Sequence, residues 1–466
     1  MILHNGIVNF PLILETYLIL QLMAFKYFPH TREEIAEMLA KAGMTSLDEL
    51  YADVPECIRF KNEYDLAPAK SELELRRYFE QLCSRNQLLT VFAGAGIYDH
   101  YTPAVIPSII SRSEYLTSYT PYQAEVSQGT LHYIFEYQSM MAELTGMFIS
   151  NASMYDGSTA TAEAAIMAIA STKKTDKILV SSTVDPKIVK VVRTYAHFHG
   201  IDIEMIKSDN GATDKQDMES KLAEGGVAGV IVQQPNYFGI IEDYSGYADT
   251  CHASKALLIM NSVAADLALL KTPGEWGADI AVGDGQSLGI PMSFGGPSVG
   301  YMCCTEKLMR KMPGRIVGKT TDSNGRRVFV LTLQAREQHI RRQKATSNIC
   351  SNESLMALFV TIYMSLMGKE GLKEAAQLSY AGAHYLHDEL IKTGKFAPAF
   401  EGREFFNEFC VKYTGGDIDE LQRRFIDHGY LGGIKTGDNT LMFAVTEKRT
   451  KEEIDTLVNI VKEETV

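Results

Sequence analysis

The stretch GADIAVGDGQSLGIPMSFGGPSVGY, residues 277–301, reads as a buried strand, ADIAVG, followed by a polar turn and a glycine-rich hairpin leading into a second strand, VGYMCC. The strands are apolar on both faces, the pattern of strands covered on both sides. Some enzymes use this strand, turn and hairpin to hold a lysine that carries a cofactor, yet no lysine lies between Gly277 and Tyr301. Outward from this stretch, strand-like and helix-period segments take turns: KILVSS, IDIEMI, VAGVIVQQ and KALLIMN read as strands, with helices predicted at LHYIFEYQSMMAELTG and TATAEAAIMAIAS. That alternation predicts an α/β domain with a mostly parallel sheet.

After about residue 345 the texture changes. A long helix, NESLMALFVTIYMSLMG, is followed by the short units FFNEFCVKY, DIDELQRRFIDHG, TLMFAV and a last helix from Lys451, which together predict a smaller α+β domain. The expected organisation is an apolar extension over 1–22, a helical arm over 23–85, a large α/β domain over 86–345 and a small domain over 346–466. In the arm, Thr31 is an N-cap candidate with Glu34 three residues on. The first residues, MILHNGIVNFPLILETYLILQLMAF, are interrupted by Pro11 and Glu15 and lack a basic start and a small-residue cleavage site. They make a poor signal peptide and a poor membrane span, and read as an extension before Met23 or as an apolar arm that packs on a partner.

At 466 residues, 45% hydrophobic and 22% charged, the chain exceeds what one compact core usually holds. Its 45 basic and 58 acidic side chains give a net charge of −13, which disfavours nucleic acid and anionic membranes as partners. Seven cysteines are scattered with no CxxC pair, so neither a disulfide framework nor a zinc site is expected, and a reducing cytoplasm fits best.

Five stretches could carry chemistry, each with a plainer structural reading beside it. Gly157, Ser158 and Thr159 open an alanine-rich helix, an arrangement that suits a phosphate or only a cap by Asp156 or Ser158. The loop GAGIYDHY offers Gly94, Gly96, Tyr98, His100 and Tyr101 as pocket lining, or a hydrogen-bonded structural histidine. Tyr119, Tyr122, Gln123 and Glu125 in SYTPYQAEVSQG could line a site or an interface. The QQPN corner at residues 233–236 ends a strand, where open α/β sheets bind ligands or simply turn. Arg336, His339, Arg341, Arg342 and Lys344 form a basic cluster that is a solvated face or an anion or subunit contact.

Taken together and in this order, YDGSTATAEAA, GAGIYDHYTPAVI, YTPYQAEVSQGTL, QPNYFG, GDGQSLGIPMSFGGP and REQHIRRQKATSNICSN resemble the first subunit of glycine dehydrogenase (decarboxylating), the P-protein of the glycine cleavage system. The resemblance runs from about Lys26 to the C-terminus and matches the chain corresponding to the N-terminal half of the fused enzyme. It implies the aspartate aminotransferase-like fold, fold type I of the enzymes dependent on pyridoxal 5′-phosphate. In that fold a lysine after a buried strand, commonly preceded by a histidine, holds the cofactor, and a strand-end carboxylate contacts its pyridinium nitrogen.

Against that pattern Gln286 stands at the histidine and Ser287 at the lysine, and a serine cannot form a Schiff base. The strand end LLIMNSVAAD places Val263 at the carboxylate, or Asn261 or Asp266 if the alignment shifts. The resemblance therefore implies that pyridoxal 5′-phosphate is bound by the sister chain, glycine dehydrogenase subunit 2, and not by this one, with Gly157, Ser158 and Thr159 a remnant phosphate site. It also implies that glycine loses carbon dioxide there and that its aminomethyl group passes to the lipoyl arm of the H-protein, in a system completed by the T-protein and L-protein. Tyr98, His100, Tyr119 and Gln123 are then the candidates for reaching the shared site. Two rival readings remain: a purely structural or regulatory subunit, and a self-sufficient pyridoxal enzyme using Lys271, Lys319 or Lys344.

Overall fold

The computed structural model describes residues 30–463 except 61, 63, 173, 174, 337 and 346. The apolar leader 1–22 lies outside the described residues. By internal contacts the chain divides after Asn86 into two compact units.

The first unit carries two helices, α1 (Arg32–Lys41) and α2 (Glu72–Cys83). Each starts with a reciprocal capping box: Glu34 N donates to Thr31 Oγ1 and Thr31 N to Glu34 Oε2, and Ser71 with Glu74 repeats the pattern. These pairs satisfy amides that a helix start otherwise leaves open. Along α2, Leu75, Tyr78, Phe79 and Leu82 form an exposed apolar stripe at helical spacing.

The second unit is built on a seven-stranded sheet of β1 (Ile149–Ser150), β2 (Lys177–Ser181), β3 (Asp202–Ile206), β4 (Val227–Gln234), β5 (Leu257–Ser262), β6 (Ile280–Asp284) and β7 (Gly300–Cys304). Its spatial order is β1-β7-β6-β5-β4-β2-β3. The pairs from β3 to β6 are parallel, while β7 runs antiparallel to β6 and β1. All six longer strands fall on the runs that read as strands in the sequence. β4 is buried at all eight positions, because helices cover both faces. Gly229 in β4 lets α4 (Gly157–Ser171) pack closely, since a Cβ there would stand 3.2 Å from that of Ala168. On the other side of α4 lies α5 (Pro186–His199), started by Asp185 as N-cap and Pro186 in the first turn and ended by Gly200 in the left-handed region.

A four-stranded antiparallel sheet follows, with β8 (Phe396–Pro398), β9 (Glu408–Tyr413), β10 (Ile434–Gly437) and β11 (Thr440–Ala444) in the order β8-β9-β11-β10. It packs with the helices Ile418–Asp427 and Lys451–Lys462 around Phe409, Phe425 and Phe443. The helix α6 (Ser354–Lys392) serves both layers: Phe359, Val360 and Tyr363 pack near the large sheet, and Ala383, Leu386 and Leu390 pack under the small one. Among the described residues α6 alone is long and apolar enough to cross a membrane, and Phe359, Val360, Tyr363, Ala383, Leu386 and Leu390 of it are buried inside the protein. It bends at Gly368, where φ is 59°. A large α/β layer with a mostly parallel sheet and a smaller α+β layer is the architecture expected from the sequence.

Candidate functional site

Parallel sheets gather ligands at the C-terminal ends of their strands, where the chain turns into helices. Here those ends hold a cavity of about 250 Å³ lined by Gln233 of β4, Asn261 and Ser262 of β5, Asp284 of β6, and Gln286 and Ser287 from the turn after β6. The starts of α4 and α5 add Asp156, Gly157, Ser158, Asp185 and Lys187, the loop 95–97 covers one side, and the hairpin 291–298 another.

The start of α4 decides what this cavity can hold. Gly157 N donates to Asp284 Oδ2 (3.0 Å), and Thr159 N donates to Asp156 Oδ1 (2.7 Å). Two carboxylates thus take amides of the first turn, so the Asp156 cap read from the sequence is formed and an anion would meet like charge there. Asp284 also accepts Gln286 N (2.8 Å) and the Ser298 hydroxyl. Burial pushes the Asp284 carboxyl up, and these three donors pull it back down. The contact demands glycine at 157, since a Cβ would lie 2.8 Å from Asp284 N.

Gln286 is spent on structure. Its Oε1 accepts Tyr98 N (2.8 Å), and its Nε2 donates to the carbonyls of Tyr98 (2.8 Å) and Ile290 (2.7 Å). The amide side chain therefore clamps the loop carrying Tyr98. Ser287 Oγ accepts Ala265 N at 3.1 Å. At the end of β5, Asn261 Nδ2 donates to Thr161 Oγ1 (2.8 Å), and Asn261, Ser262 and Val263 all line the cavity. Asp266 is buried in the next turn and is not among the lining residues. Among the described residues one lysine lines the cavity, Lys187; Lys271, Lys319 and Lys344 do not.

Tyr98 and His100 point into the protein. Tyr98 OH donates to Glu408 Oε2 (3.0 Å), whose Oε1 accepts Ala95 N (2.6 Å). Ala95 sits in the left-handed region with φ 58°, a conformation that costs about 1–2 kcal/mol and is held here by that bond. His100 Nδ1 lies 2.7 Å from Glu447 Oε2, and its Nε2 is buried with no hydrogen-bond partner among the described residues. Burial dominates the rise of the Glu408 carboxyl to about 7 and the upward shift of Asp266 and of the Tyr98 phenol. Tyr101, whose N donates to Glu447 Oε1 (2.7 Å), is exposed, as is Ile97.

Tyr119, Tyr122, Gln123 and Glu125 are exposed and lie away from the cavity lining; Arg315 donates to Tyr122 OH (3.3 Å). Of the QQPN corner, Gln233 lines the cavity, while Asn236 is engaged by Gly211 O (2.8 Å), Glu242 Oε1 (2.7 Å) and Phe238 N (2.9 Å). Arg336 and Arg341 line a separate cavity of about 190 Å³ with Arg310 and Lys311; the side chain of His339 lies outside the described residues. Missing from the sequence reading were Asp284, Asp185, Lys187 and Glu408. Asp284 had a signal, a polar residue ending a two-sided apolar strand. Glu408 had none, since it reaches Tyr98 across 310 residues of chain.

Residues 25–461 match the family model "Glycine cleavage system P-protein". A protein described as "Probable glycine dehydrogenase (decarboxylating) subunit 1" from Anoxybacillus flavithermus is 48% identical over 445 residues, 94% of this chain and 98% of its own length. Among solved structures, an inhibitor-bound glycine decarboxylase (P-protein) of the glycine cleavage system superposes with a TM-score of 0.84 at 41% identity, covering 94% of this chain and 99% of that one. An alanine–glyoxylate aminotransferase from Nostoc sp. shares the fold alone, with a TM-score of 0.58, 14% identity and coverage of 86% and 97%. The chain has fold type I and belongs to the glycine cleavage system P-protein family.

Proposed function

We propose that this chain is the cofactor-free subunit of a two-chain glycine dehydrogenase (decarboxylating), completed by a sister subunit that holds pyridoxal 5′-phosphate. The name subunit 1 borne by its relatives supports a two-chain arrangement. The observation that carries the reading is the occupation of the α4 start by Asp156 and Asp284 next to Ser287. A group of this kind needs a lysine for its aldehyde, a carboxylate for its ring nitrogen and open amides for its phosphate. At the positions that would serve those needs this cavity has Ser287, Asn261 with Ser262 and Val263, and two first-turn amides, Gly157 N and Thr159 N, already bound to carboxylates. The residues present do not fit the cofactor, and no step of the reaction is assigned to this cavity. The decarboxylation of glycine and the transfer of its aminomethyl group to the lipoyl arm of an H-protein belong, on this reading, to the assembled enzyme, with the T-protein and L-protein acting downstream.

Borohydride reduction after incubation with pyridoxal 5′-phosphate, followed by intact mass and peptide mapping, tests this directly. The expected result is a stoichiometric adduct on the sister subunit and none on this chain. An adduct on one lysine here, Lys187 included, overturns it.

The burial of Tyr98 and His100 inside the chain favours a second reading, in which this subunit acts as scaffold alone. His100→Ala separates the two. If the loop shapes the shared site, turnover of the purified complex falls at least about tenfold, a loss of roughly 1.4 kcal/mol in the barrier, while assembly is retained. Unchanged kcat and KM in an intact complex would leave the scaffold reading standing.

A further inference from the structure

We propose that the basic cavity beside the end of α4 binds a small doubly charged oxyanion of the phosphate class, free or as a small monoester. This cavity stands apart from the one at the strand ends: Ala170, which lines it, lies near the end of α4, about 20 Å along the helix from Gly157. The proposal does not depend on which subunit holds the pyridoxal cofactor.

The lining sets the charge. The cavity, of about 190 Å³, has Arg310, Lys311, Arg336 and Arg341 around it, and no carboxylate is among its described lining residues. Three separate short helical turns, Glu306–Lys311, Gln334–Arg336 and Gln338–Arg341, bring these cations together. Two of them are set in place by neutral backbone groups: Lys311 Nζ donates to Ala170 O, and Arg336 donates from Nε to Leu333 O (3.1 Å) and from Nη2 to Gly314 O (3.0 Å). Among the described residues Arg310, Lys311 and Arg341 have no ion-pair partner. The remaining lining includes Met312 and Ile349, both buried, so the cations stand beside apolar core rather than open water on that side. The sequence concentrates charge in the same place: from Glu306 to Lys344 there are eleven Lys and Arg against three Asp and Glu, in a chain whose net charge is −13. Like charges converging on a concave, partly apolar wall repel one another and focus a positive potential, and a bound anion relieves both.

Charge and size then narrow the class. A lone carboxylate offers one negative charge in one plane to four cations that approach from three segments. A phosphate group carries roughly −1.5 to −2 charges at neutral pH and presents oxygens in several directions, two of which the planar fork of an arginine can take at once. About 190 Å³ is below the roughly 300–1,000 Å³ of sites for drug-sized ligands, which suits phosphate or a small monoester and not a nucleotide. The acidic surface of the rest of the chain opposes a longer polyanion such as nucleic acid.

Titration calorimetry of the full chain with inorganic phosphate, glycerol phosphate and acetate, at pH 8 and fixed ionic strength, tests the proposal. Phosphate or glycerol phosphate should bind one to one with a dissociation constant below about 1 mM, the tighter of the two showing whether the site takes the free anion or its ester, and acetate should bind at least about tenfold more weakly, a difference of roughly 1.4 kcal/mol. Arg310→Gln and Arg341→Gln, both at exposed positions, should each weaken the phosphate compound at least about fivefold with Tm in its absence unchanged, because each removes one charge and its directed donors. Lys190→Gln, which removes an exposed charge on α5 outside the cavity lining, should leave the affinity as it is. No saturable binding of either phosphate compound, acetate bound as tightly as phosphate, or a loss on Lys190→Gln equal to that on Arg310→Gln and Arg341→Gln overturns the proposal.

Discussion

Gly239→Ala is expected to lower the unfolding free energy by about 3 kcal/mol or more, against about 1 kcal/mol for Gly200→Ala. Both glycines lie in the left-handed region, at φ 80° and 66°, so both substitutions incur the same local conformational cost. They differ in surroundings. A Cβ on Gly200 meets nothing within 4 Å, whereas one on Gly239 would sit 1.8 Å from the carbonyl oxygen of Glu408 and 2.4 Å from its carbonyl carbon. Backbone cannot rotate aside as a side chain can. The approach is close because Gly239 O accepts Phe406 N (3.0 Å) and Ile241 N donates to Glu404 O (2.9 Å), tying the loop after β4 to the entry of β9. Any shift there moves Glu408 away from Ala95 and Tyr98, so the variant should also lose order in the loop over the cavity. Denaturant midpoints of the three proteins, at unchanged m-value, measure the difference; equal midpoints for the two variants would show that the loop relaxes freely.

Glu408→Gln is expected to stabilise the protein by about 3 kcal/mol at pH 8 and to change it little at pH 4.5. Burial raises the Glu408 carboxyl from 4.5 to about 7, so the folded state holds its proton to higher pH than the unfolded chain does. Below the unfolded value both states are protonated and nothing is lost. As pH rises from 4.5 toward 7 the unfolded chain ionises first, stability falls, and above the folded value the loss is complete. A shift of this size corresponds to about 3 kcal/mol. Asp266 moves in the same direction, pushed up first by burial and then by the Glu408 charge, so removing that charge relieves both. Glutamine can still accept Ala95 N and offer its amide to the Tyr98 hydroxyl, which preserves the loop. Urea unfolding of both proteins at pH 4.5 and pH 8 reads the effect, and a variant less stable than the parent at pH 8 would mean that the ionised carboxylate is worth more to Ala95 and Tyr98 than its burial costs.

At the strand-end cavity, polar side chains are likewise engaged by the chain itself. Gln286 has three hydrogen bonds to loop and turn carbonyls and amides, and Asp284 ties the start of α4 to the hairpin through Gly157 and Ser298. Polar side chains at this cavity thus hold chain segments together.

Most of the architecture was legible in local patterns. Apolar runs such as VAGVIVQQ specify a strand covered on both faces because side chains alternate with a period of two, and Thr31 with Glu34 marks a helix start because capping is a contact between near neighbours in sequence. The motif order from Gly94 to Asn352 likewise identified the family without coordinates. The site was legible only in part. Gly157, Ser158 and Gln286 were named from the sequence and do line the cavity, but their roles depend on partners 127 and 188 residues away, Asp284 and Tyr98. Tyr98 and His100 looked like lining residues and turned inward, since Glu408 and Glu447, more than 300 residues downstream, offer buried carboxylates that their polar tips require. Helix period, strand period and capping are set within a few residues of chain and can be read there; the direction in which a loop side chain points is set by which distant acceptor the folded chain brings within about 3 Å, and no local pattern contains that distance.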